Sequence, residues 1–109
     1  MGKLYHITNV KNVGSILDKG LMANEDGDIY LFDNVSVMWI DGSMICVADH
    51  IAKNQIFTDR YAMFEIDTKG IKYPIEKDLC AEWTTKQQYV VKQKVINKRY
   101  INLFGIYEV

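Results

Sequence analysis

The chain has 109 residues, of which 49% are hydrophobic and 25% are charged, and its formal net charge at pH 7 is -1. These proportions are typical of one globular domain with a single core, and we expect that domain to span residues 1–109. The seven Tyr, four Phe and two Trp residues, together with the low net charge, exclude intrinsic disorder. The sequence has no apolar run of about 18 residues that would span a membrane, and we expect no secretory signal because the N-terminus lacks an apolar segment.

The chain is predicted to begin with a strand followed by a helix. Residues 4–8 are rich in β-forming side chains. Thr8 or Asn9 can cap the helix through a side-chain oxygen, and Gly20 ends it because glycine adopts the left-handed conformation freely. The side chains that recur at helical spacing and are expected to face the core are Val10, Val13, Ile16 and Leu17.

The next segments predict a turn, a strand and a second helix. Residues 24–28 form a polar turn, and residues 29–32 are an apolar run whose short length favours a strand. Residues 33–43 are expected to be irregular. The second helix is predicted to begin at Ser43, and its inward side chains are expected to be Met44, Val47, Ala48, Ile51 and Gln55.

The C-terminal half is predicted to be mainly strands. Residues 61–67 alternate, with Ala62, Phe64 and Ile66 inward, and a turn follows at residues 69–70. Residues 89–95 form a second alternating strand with Tyr89, Val91 and Val95 on one face. A turn at residues 97–99 precedes a closing strand, residues 101–109, that is interrupted at Gly105. Two helices in the N-terminal half and five or six short strands indicate an α+β fold.

Metal-centred and thiol chemistry find little support in the sequence. His6 and His50 are the only histidines, and neither has a second His or Cys at the spacing of metal ligands, so no metal is expected. Cys46 and Cys80 lie far apart and form no CxxC pair, which favours two buried hydrophobic residues over a disulfide. A reducing compartment follows, and we expect a cytoplasmic protein.

The last quarter of the chain is basic. Residues 83–109 contain one acidic residue, Glu108, and five cationic residues: Lys86, Lys92, Lys94, Lys98 and Arg99. Such a segment can contact the phosphates of a nucleic acid. The alternative is that the segment neutralises the acidic remainder of the chain or stays solvated, and we favour this alternative over a phosphate contact.

Three segments together resemble the ADP-ribosyltransferase fold. Leu4-Tyr5-His6-Ile7-Thr8, followed by Asn12-Val13-x-Ser15-Ile16-Leu17-x-x-Gly20-Leu21, is similar to the opening of proteins with that fold. Gly27-x-Ile29-Tyr30-Leu31 is similar to the second motif of the superfamily. Gln88-Tyr89-Val90-Val91, followed by Val95-Ile96-Asn97-x-x-Tyr100-Ile101, resembles the segment that carries the third motif. The resemblance covers most of the chain except residues 35–60. It is closest to DarT-type toxins that ADP-ribosylate DNA and more distant to RNA 2′-phosphotransferases.

The resemblance implies a fold, a substrate and roles for individual residues. The fold would be a small ADP-ribosyltransferase-like split β-sheet core, and the substrate would be NAD. His6 would hydrogen-bond the ribose hydroxyls of NAD, and Tyr30 would stack on the nicotinamide ring. Thr8 and the backbone near Gly20 and Leu21 would fix the nicotinamide end.

The third motif departs from the family pattern. The resemblance implies a glutamate that stabilises the oxocarbenium ion as nicotinamide leaves, but Gln88 stands at that place. Loss of such a preorganised charge is worth about 3 to 4 kcal/mol, which slows a reaction by about two to three powers of ten. Glu82, six residues earlier, is a candidate replacement, and it is also readable as a solvated loop carboxylate. The candidate catalytic residues are therefore His6, Tyr30, Gln88 and Glu82.

Two functions of different classes fit these residues. One is an NAD-consuming ADP-ribosyltransferase that acts on nucleic acid or protein. The other keeps the fold as a binding module without chemistry, for example a toxin-like phage or mobile-element protein that blocks a host factor. A 2′-phosphotransferase is a third reading, but that chemistry requires several phosphate-binding cations near His6, and only Lys3 and Lys11 lie close in sequence.

Overall fold

The computed structural model describes residues 2–33, 37–40, 42–77 and 88–109. These residues form a mixed α+β fold, as predicted from the sequence. The strands are β1 (Lys3–Asn9), β2 (Leu21–Met22), β3 (Ile29–Phe32), β4 (Val37–Ile40), β5 (Ser43–Cys46), β6 (Arg60–Asp67), β7 (Ile75–Lys77), β8 (Gln88–Val91), β9 (Val95–Ile96) and β10 (Ile101–Glu108). The helices are α1 (Val13–Lys19) and α2 (Val47–Ile51), which continues as a π-helical turn over Ala52–Ile56. Short 3-10 turns lie at Val10–Asn12, Thr68–Gly70 and Lys98–Tyr100.

Six strands form one sheet in the order β10-β6-β1-β3-β8-β7. β1 pairs with β6 along its whole length, from Lys3 opposite Asp67 to Asn9 opposite Tyr61. Among the described residues, β1 pairs with β3 at one position only, Tyr5 opposite Phe32. The sheet therefore consists of two well-paired halves, β10-β6-β1 and β3-β8-β7, that meet at a narrow junction. The part of β1 and β3 beyond that pair, which contains His6 and Tyr30, is called the seam below.

The two faces of the sheet carry separate hydrophobic clusters. On the face covered by α1, called the α1 face, the cluster includes Leu4, Ile16, Leu31 and Phe64. The opposite face, called the α2 face, buries the side chains Tyr5, Ile7, Phe32, Val47, Ala48, Ile51, Ala52 and Tyr61. Alternation along each strand decides which residue faces which cluster. In β6 the predicted inward residues Ala62, Phe64 and Ile66 are all completely buried on the α1 face.

The start and end of the first helix follow the predicted signals, but its buried face is shorter. The side-chain oxygen of Asn9 accepts a hydrogen bond from the N–H of Lys11, and Gly20 ends the helix with φ of 90°. Ile16 is buried, whereas Leu17 is 45% exposed, so the prediction that it faces the core was wrong. The first turn is a 3-10 turn with three residues per turn, which rotates the helical face away from the spacing counted from Val10.

The second helix begins later than predicted. The segment expected to be irregular and the expected first turn of the helix instead pair as a hairpin, β4 with β5, in which Val37 is opposite Cys46. Gly42 in the connection has φ of 78°, a left-handed conformation that glycine adopts at no steric cost. Met44 is consequently 57% exposed rather than inward. The pairing of neighbouring strands thus overrides the helical spacing read from the sequence.

The strand predicted over residues 89–95 is divided in two. β8 ends at Val91, and Val95 opens β9, which pairs with β2 and leaves Val95 39% exposed. Between them Gln93 is buried, because its amide oxygen accepts from the Lys72 N–H at 2.8 Å and its amide nitrogen donates to the Gly70 carbonyl at 2.9 Å. In β10 the pairing shifts register between Leu103 and Gly105, which agrees with the predicted interruption. In the part of the chain that the structure describes, no helix is both long and apolar enough to cross a bilayer.

The close approach of Gly20 to β9 generates a stability prediction. A β-carbon at Gly20 would collide with the Ile96 carbonyl oxygen, and the φ of 90° adds strain of about 1–2 kcal/mol for an L-residue. We expect Gly20→Ala to lower the free energy of unfolding by at least about 2 kcal/mol in a urea titration.

Gly14→Ala is the matched control for this change. Gly14 lies inside α1, and a β-carbon there meets no atom within 4 Å. Alanine should therefore raise the free energy of unfolding by about 0.5–1 kcal/mol. Equal urea midpoints for the two variants would contradict the placement of Gly20 against β9.

Candidate functional site

His6 and Tyr30 are joined across the seam. His6 lies on β1, opposite Phe64 of β6, and its Nδ1 is 2.8 Å from the carbonyl oxygen of Tyr30 on β3. Because a carbonyl oxygen only accepts, Nδ1–H is the donor, which fixes the tautomer of the neutral ring. The side chain of His6 therefore supplies a hydrogen bond between the two halves of the sheet where the main-chain pairing of β1 with β3 has stopped.

The His6 imidazole is partly buried, which favours its neutral form. Loss of hydration lowers the pKa of His6 below its ordinary value, and the hydrogen bond to the Tyr30 carbonyl opposes that shift only in part. With Nδ1 protonated, the lone pair of Nε2 is an acceptor. Within the described residues no donor lies on Nε2. A ligand hydroxyl can donate a hydrogen bond to such a nitrogen.

The two rings leave their strands on opposite faces of the sheet. Leu4 and Phe64, which share the face of His6 by alternation and pairing, belong to the α1 face. Phe32, two residues after Tyr30, belongs to the α2 face, so the phenol of Tyr30 projects there. The two rings therefore do not face each other across one crevice, and His6 contacts Tyr30 only through the Tyr30 main-chain carbonyl at the seam among the contacts that the described residues show.

Gln88 lies on the face of Tyr30. Phe32 pairs with Gln88 and Tyr30 pairs with Val90, which makes Tyr30 and Gln88 diagonal neighbours on adjacent strands. Diagonal residues of an antiparallel pair lie about 7–8 Å apart. Tyr30 is 39% exposed, whereas Gln88 is 5% exposed. The structure therefore brings the second-motif and third-motif candidates together, with the amide more deeply buried than the phenol.

Two carboxylates that the sequence analysis did not single out also flank Tyr30. Asp28, two residues before Tyr30, accepts a hydrogen bond from the Lys92 ammonium at 2.8 Å, and this contact raises the pKa of Lys92. Glu76 of β7 is opposite Val90, which is itself opposite Tyr30. The spacing of two residues between Asp28 and Tyr30 was the sequence signal that could have identified Asp28. Glu82, the candidate replacement from the sequence, lies outside the described residues.

The other residues predicted to bind the nicotinamide end have structural partners. The Thr8 hydroxyl accepts a hydrogen bond from the Asn12 amide at 2.9 Å. The N–H of Gly20 donates to the Ile16 carbonyl at 2.9 Å, and Leu21 is buried on the α1 face. These contacts hold the start and end of α1 against the sheet. Direct contact of Thr8, Gly20 and Leu21 with a ligand stays a prediction.

An aromatic cavity of about 410 Å³ lies on the α2 face next to Phe32. Its walls include Tyr5, Tyr61 and Phe104, and the Tyr61 hydroxyl donates to the Asp49 carboxylate at 2.7 Å. Burial and that carboxylate raise the pKa of Tyr61, so its hydroxyl stays protonated. The volume lies in the range of small-ligand pockets.

The basic residues of the last quarter do not form one surface. Lys92 is paired with Asp28 beside Tyr30, whereas Lys94, Lys98 and Arg99 line a separate cleft. Lys86 lies outside the described residues. Over the described ranges, no group of three or more His, Cys, Asp and Glu side chains is placed to hold a metal ion. No known protein-family model matches this chain, and no curated protein matches it.

The partly buried imidazole predicts a pH dependence of stability. Folding lowers the pKa of His6. As the pH falls below about 6.5, the unfolded chain therefore binds a proton at His6 more readily than the folded chain does. The His6 contribution to stability is therefore complete above that pH and is lost progressively below it. In His6→Asn, the side-chain amide replaces Nδ1–H as donor and cannot be protonated. Urea titrations between about pH 7.5 and pH 5.5 should show a smaller loss of stability for this variant than for the unmodified chain.

The matched control is the same change at His50, the other histidine. His50→Asn should leave the acid-dependent loss that belongs to His6 in place. Identical pH profiles for the unmodified chain and His6→Asn would contradict the partly buried, neutral imidazole.

Proposed function

We propose that the protein is an ADP-ribosyltransferase-like enzyme. It would transfer ADP-ribose from NAD to a macromolecular acceptor, nucleic acid or protein, and release nicotinamide. One observation carries this proposal: His6, Tyr30 and Gln88 lie on the adjacent strands β1, β3 and β8, with His6 bonded to Tyr30 at the seam. The proposal is also supported by the β1–β3 pairing, which in the described part of the chain is limited to one residue pair and is compatible with a split sheet.

The chemistry assigns a task to each of the three side chains. The glycosidic bond between the ribose and the nicotinamide nitrogen breaks, and nicotinamide leaves with the bonding electrons. The acceptor then forms a bond to the same ribose carbon and loses its proton. The Nε2 lone pair of His6 would accept from a ribose hydroxyl, and the exposed Tyr30 ring would stack on the nicotinamide.

Gln88 sets the rate of the proposed reaction. Its amide can orient a ribose hydroxyl but offers no full negative charge to the developing cation. A carboxylate must come from elsewhere for rapid turnover. Glu82 is the candidate from the sequence, and Asp28 and Glu76 are the described carboxylates that flank Tyr30.

The direct experiment is a titration of the purified chain with NAD, followed by measurement of released nicotinamide. We expect binding, and His6→Ala should abolish turnover because it removes the Nε2 acceptor. Absence of binding at millimolar NAD would overturn the proposal. Glu82→Gln, Asp28→Asn and Glu76→Gln, compared in the same assay, identify which carboxylate contributes.

Restoring the carboxylate at position 88 should increase turnover. We expect Gln88→Glu to raise the rate of nicotinamide release by about two powers of ten, the lower end of the gain that one preorganised charge gives. Gln88→Ala is the control for loss of the amide and should release nicotinamide no faster than the unmodified chain. If circular dichroism shows that both variants are folded and their rates are equal, position 88 is not the third-motif position.

A binding module without chemistry is the second candidate function. It is favoured by the edge strand β10 and the last residue, which leave several apolar side chains exposed: Leu103, Phe104, Ile106, Tyr107 and Val109. An exposed apolar edge can receive a partner protein. A complex that survives His6→Ala but is lost with Ile106→Lys would support this function. An ADP-ribose adduct on any partner would exclude it in favour of the enzyme.

A further inference from the structure

A cleft of about 580 Å³ lies on the α1 side of the molecule, apart from Tyr30 and Gln88 on the α2 face. It is bounded by the end of α1, by the segment between β6 and β7, and by the segment from β8 to β10. The cationic side chains that line it are Lys19, Lys72, Lys94, Lys98 and Arg99. Lys19 and Lys72 are distant in sequence from the basic last quarter, so only folding assembles the group.

Among the described residues, no ion pair neutralises the positive charge of the cleft. Asp18 is the one acidic side chain in the described part of its lining, which leaves those residues with a formal charge of +4. The ion pairs of the described residues are Lys3 with Glu65 and Lys92 with Asp28, and neither involves the cleft. Five like charges around one concave surface repel one another and focus a positive potential into it. An anionic ligand would relieve that repulsion.

The backbone around the cleft is held by a buried amide. The Gln93 side chain bonds to the N–H of Lys72 and to the carbonyls of Gly70 and Val95, at distances from 2.8 to 2.9 Å. This cross-link fixes the segment that carries Lys72 against the segment that carries Lys94. The backbone that carries Lys72 and Lys94 is therefore held in place, which lowers the entropy that these segments lose on binding.

Arg99 is positioned by the aromatic ring that follows it. Its guanidinium carbon lies 5.3 Å from the centre of the Tyr100 ring, a cation–π geometry. The Tyr100 ring in turn packs on Gly70, where a β-carbon would collide with it. A planar guanidinium held in this way suits two-point contact with phosphate oxygens.

Tyr73 supplies a flat surface at the same cleft. Its side chain is 56% exposed and belongs to the cleft lining. Exposed tyrosines stack on nucleobases, since every base presents a π-face. The volume of about 580 Å³ lies in the range of small-ligand pockets.

We propose that this cleft is a binding site for a nucleoside di- or triphosphate. The cations would contact the adjacent phosphates, and Tyr73 would stack on the base. The proposal is independent of the NAD reaction above, because none of His6, Tyr30 and Gln88 lines the cleft.

The test is a titration of the isotope-labelled chain, followed by amide NMR, with inorganic tripolyphosphate and with ATP at low ionic strength. We expect both probes to shift the amides of residues 70–73 and 93–100 and to leave those of residues 29–32 unchanged. ATP should bind more tightly than tripolyphosphate, and Tyr73→Ala should remove that difference. Affinity should fall as salt is added.

A charge-matched pair of variants isolates the cleft. Lys98→Glu with Arg99→Glu should weaken tripolyphosphate binding about tenfold or more. Lys11→Glu with Lys53→Glu makes the same change of charge at exposed lysines outside the cleft and should weaken it far less. Lys98→Gln with Arg99→Gln should give an intermediate loss and covers the case in which the reversed pair does not fold.

Several results would overturn the proposal. They are no shift with either probe at millimolar concentration, shifts spread over lysines outside the cleft, or equal weakening by the two charge-matched pairs. Tighter binding of an eight-residue single-stranded oligonucleotide without terminal phosphates than of ATP would also overturn it. In that case the cleft recognises a nucleic-acid strand, because such a strand has no adjacent phosphates.

Discussion

The hydrogen bond from His6 to the Tyr30 carbonyl is the contact on which the candidate site depends. A regular antiparallel ladder would satisfy that carbonyl with a main-chain N–H, but the pairing of β1 with β3 is limited to Tyr5 and Phe32 among the described residues. The imidazole N–H donates to that carbonyl from a side chain. The His6 side chain thereby links the two halves of the sheet. The same hydrogen bond keeps the proton on Nδ1, so the lone pair of Nε2 points away from the Tyr30 carbonyl.

The division of the sheet into two faces determines what each candidate residue can do. The side chain of His6 leaves β1 on the α1 face, which also carries the larger hydrophobic cluster. The α2 face carries Tyr30, Gln88 and the aromatic cavity. A ligand that contacts both His6 and Tyr30 must therefore reach the seam rather than lie flat on one face. The cleft with the unpaired cations is lined by none of His6, Tyr30 and Gln88, so two anionic ligands could bind without competition.

Local signals in the sequence were sufficient to predict the elements that begin and end at a capping or turn residue. Asn9 and Gly20 bound the first helical segment, and the side chain of Asn24 closes the turn before β3 by accepting from the N–H groups of Asp26 and Asp28. The alternation in β6 also predicted its buried face. The β4–β5 hairpin was not predictable in this way, because residues 43–46 have apolar spacing that suits a helix as well as a strand.

Contacts between distant segments explain the remaining differences. The break between β8 and β9 depends on Gln93, whose amide partners lie more than 20 residues away at Gly70 and Lys72. The seam bond likewise joins residues 24 positions apart, and the end of the β1–β3 ladder has no local signal. The identities of His6, Tyr30 and Gln88 came from a resemblance between motifs. Their faces, and the carboxylates Asp28 and Glu76, came only from strand pairing.

Nitrogen NMR of the His6 ring tests the central claim most directly, because it reports the tautomer and the ligand contact in one spectrum. At neutral pH the account predicts a neutral ring protonated at Nδ1, with a bare Nε2 whose resonance moves when NAD is added. A ring protonated at Nε2, or an Nε2 resonance that does not respond to millimolar NAD, would contradict a nucleotide-binding seam between β1 and β3.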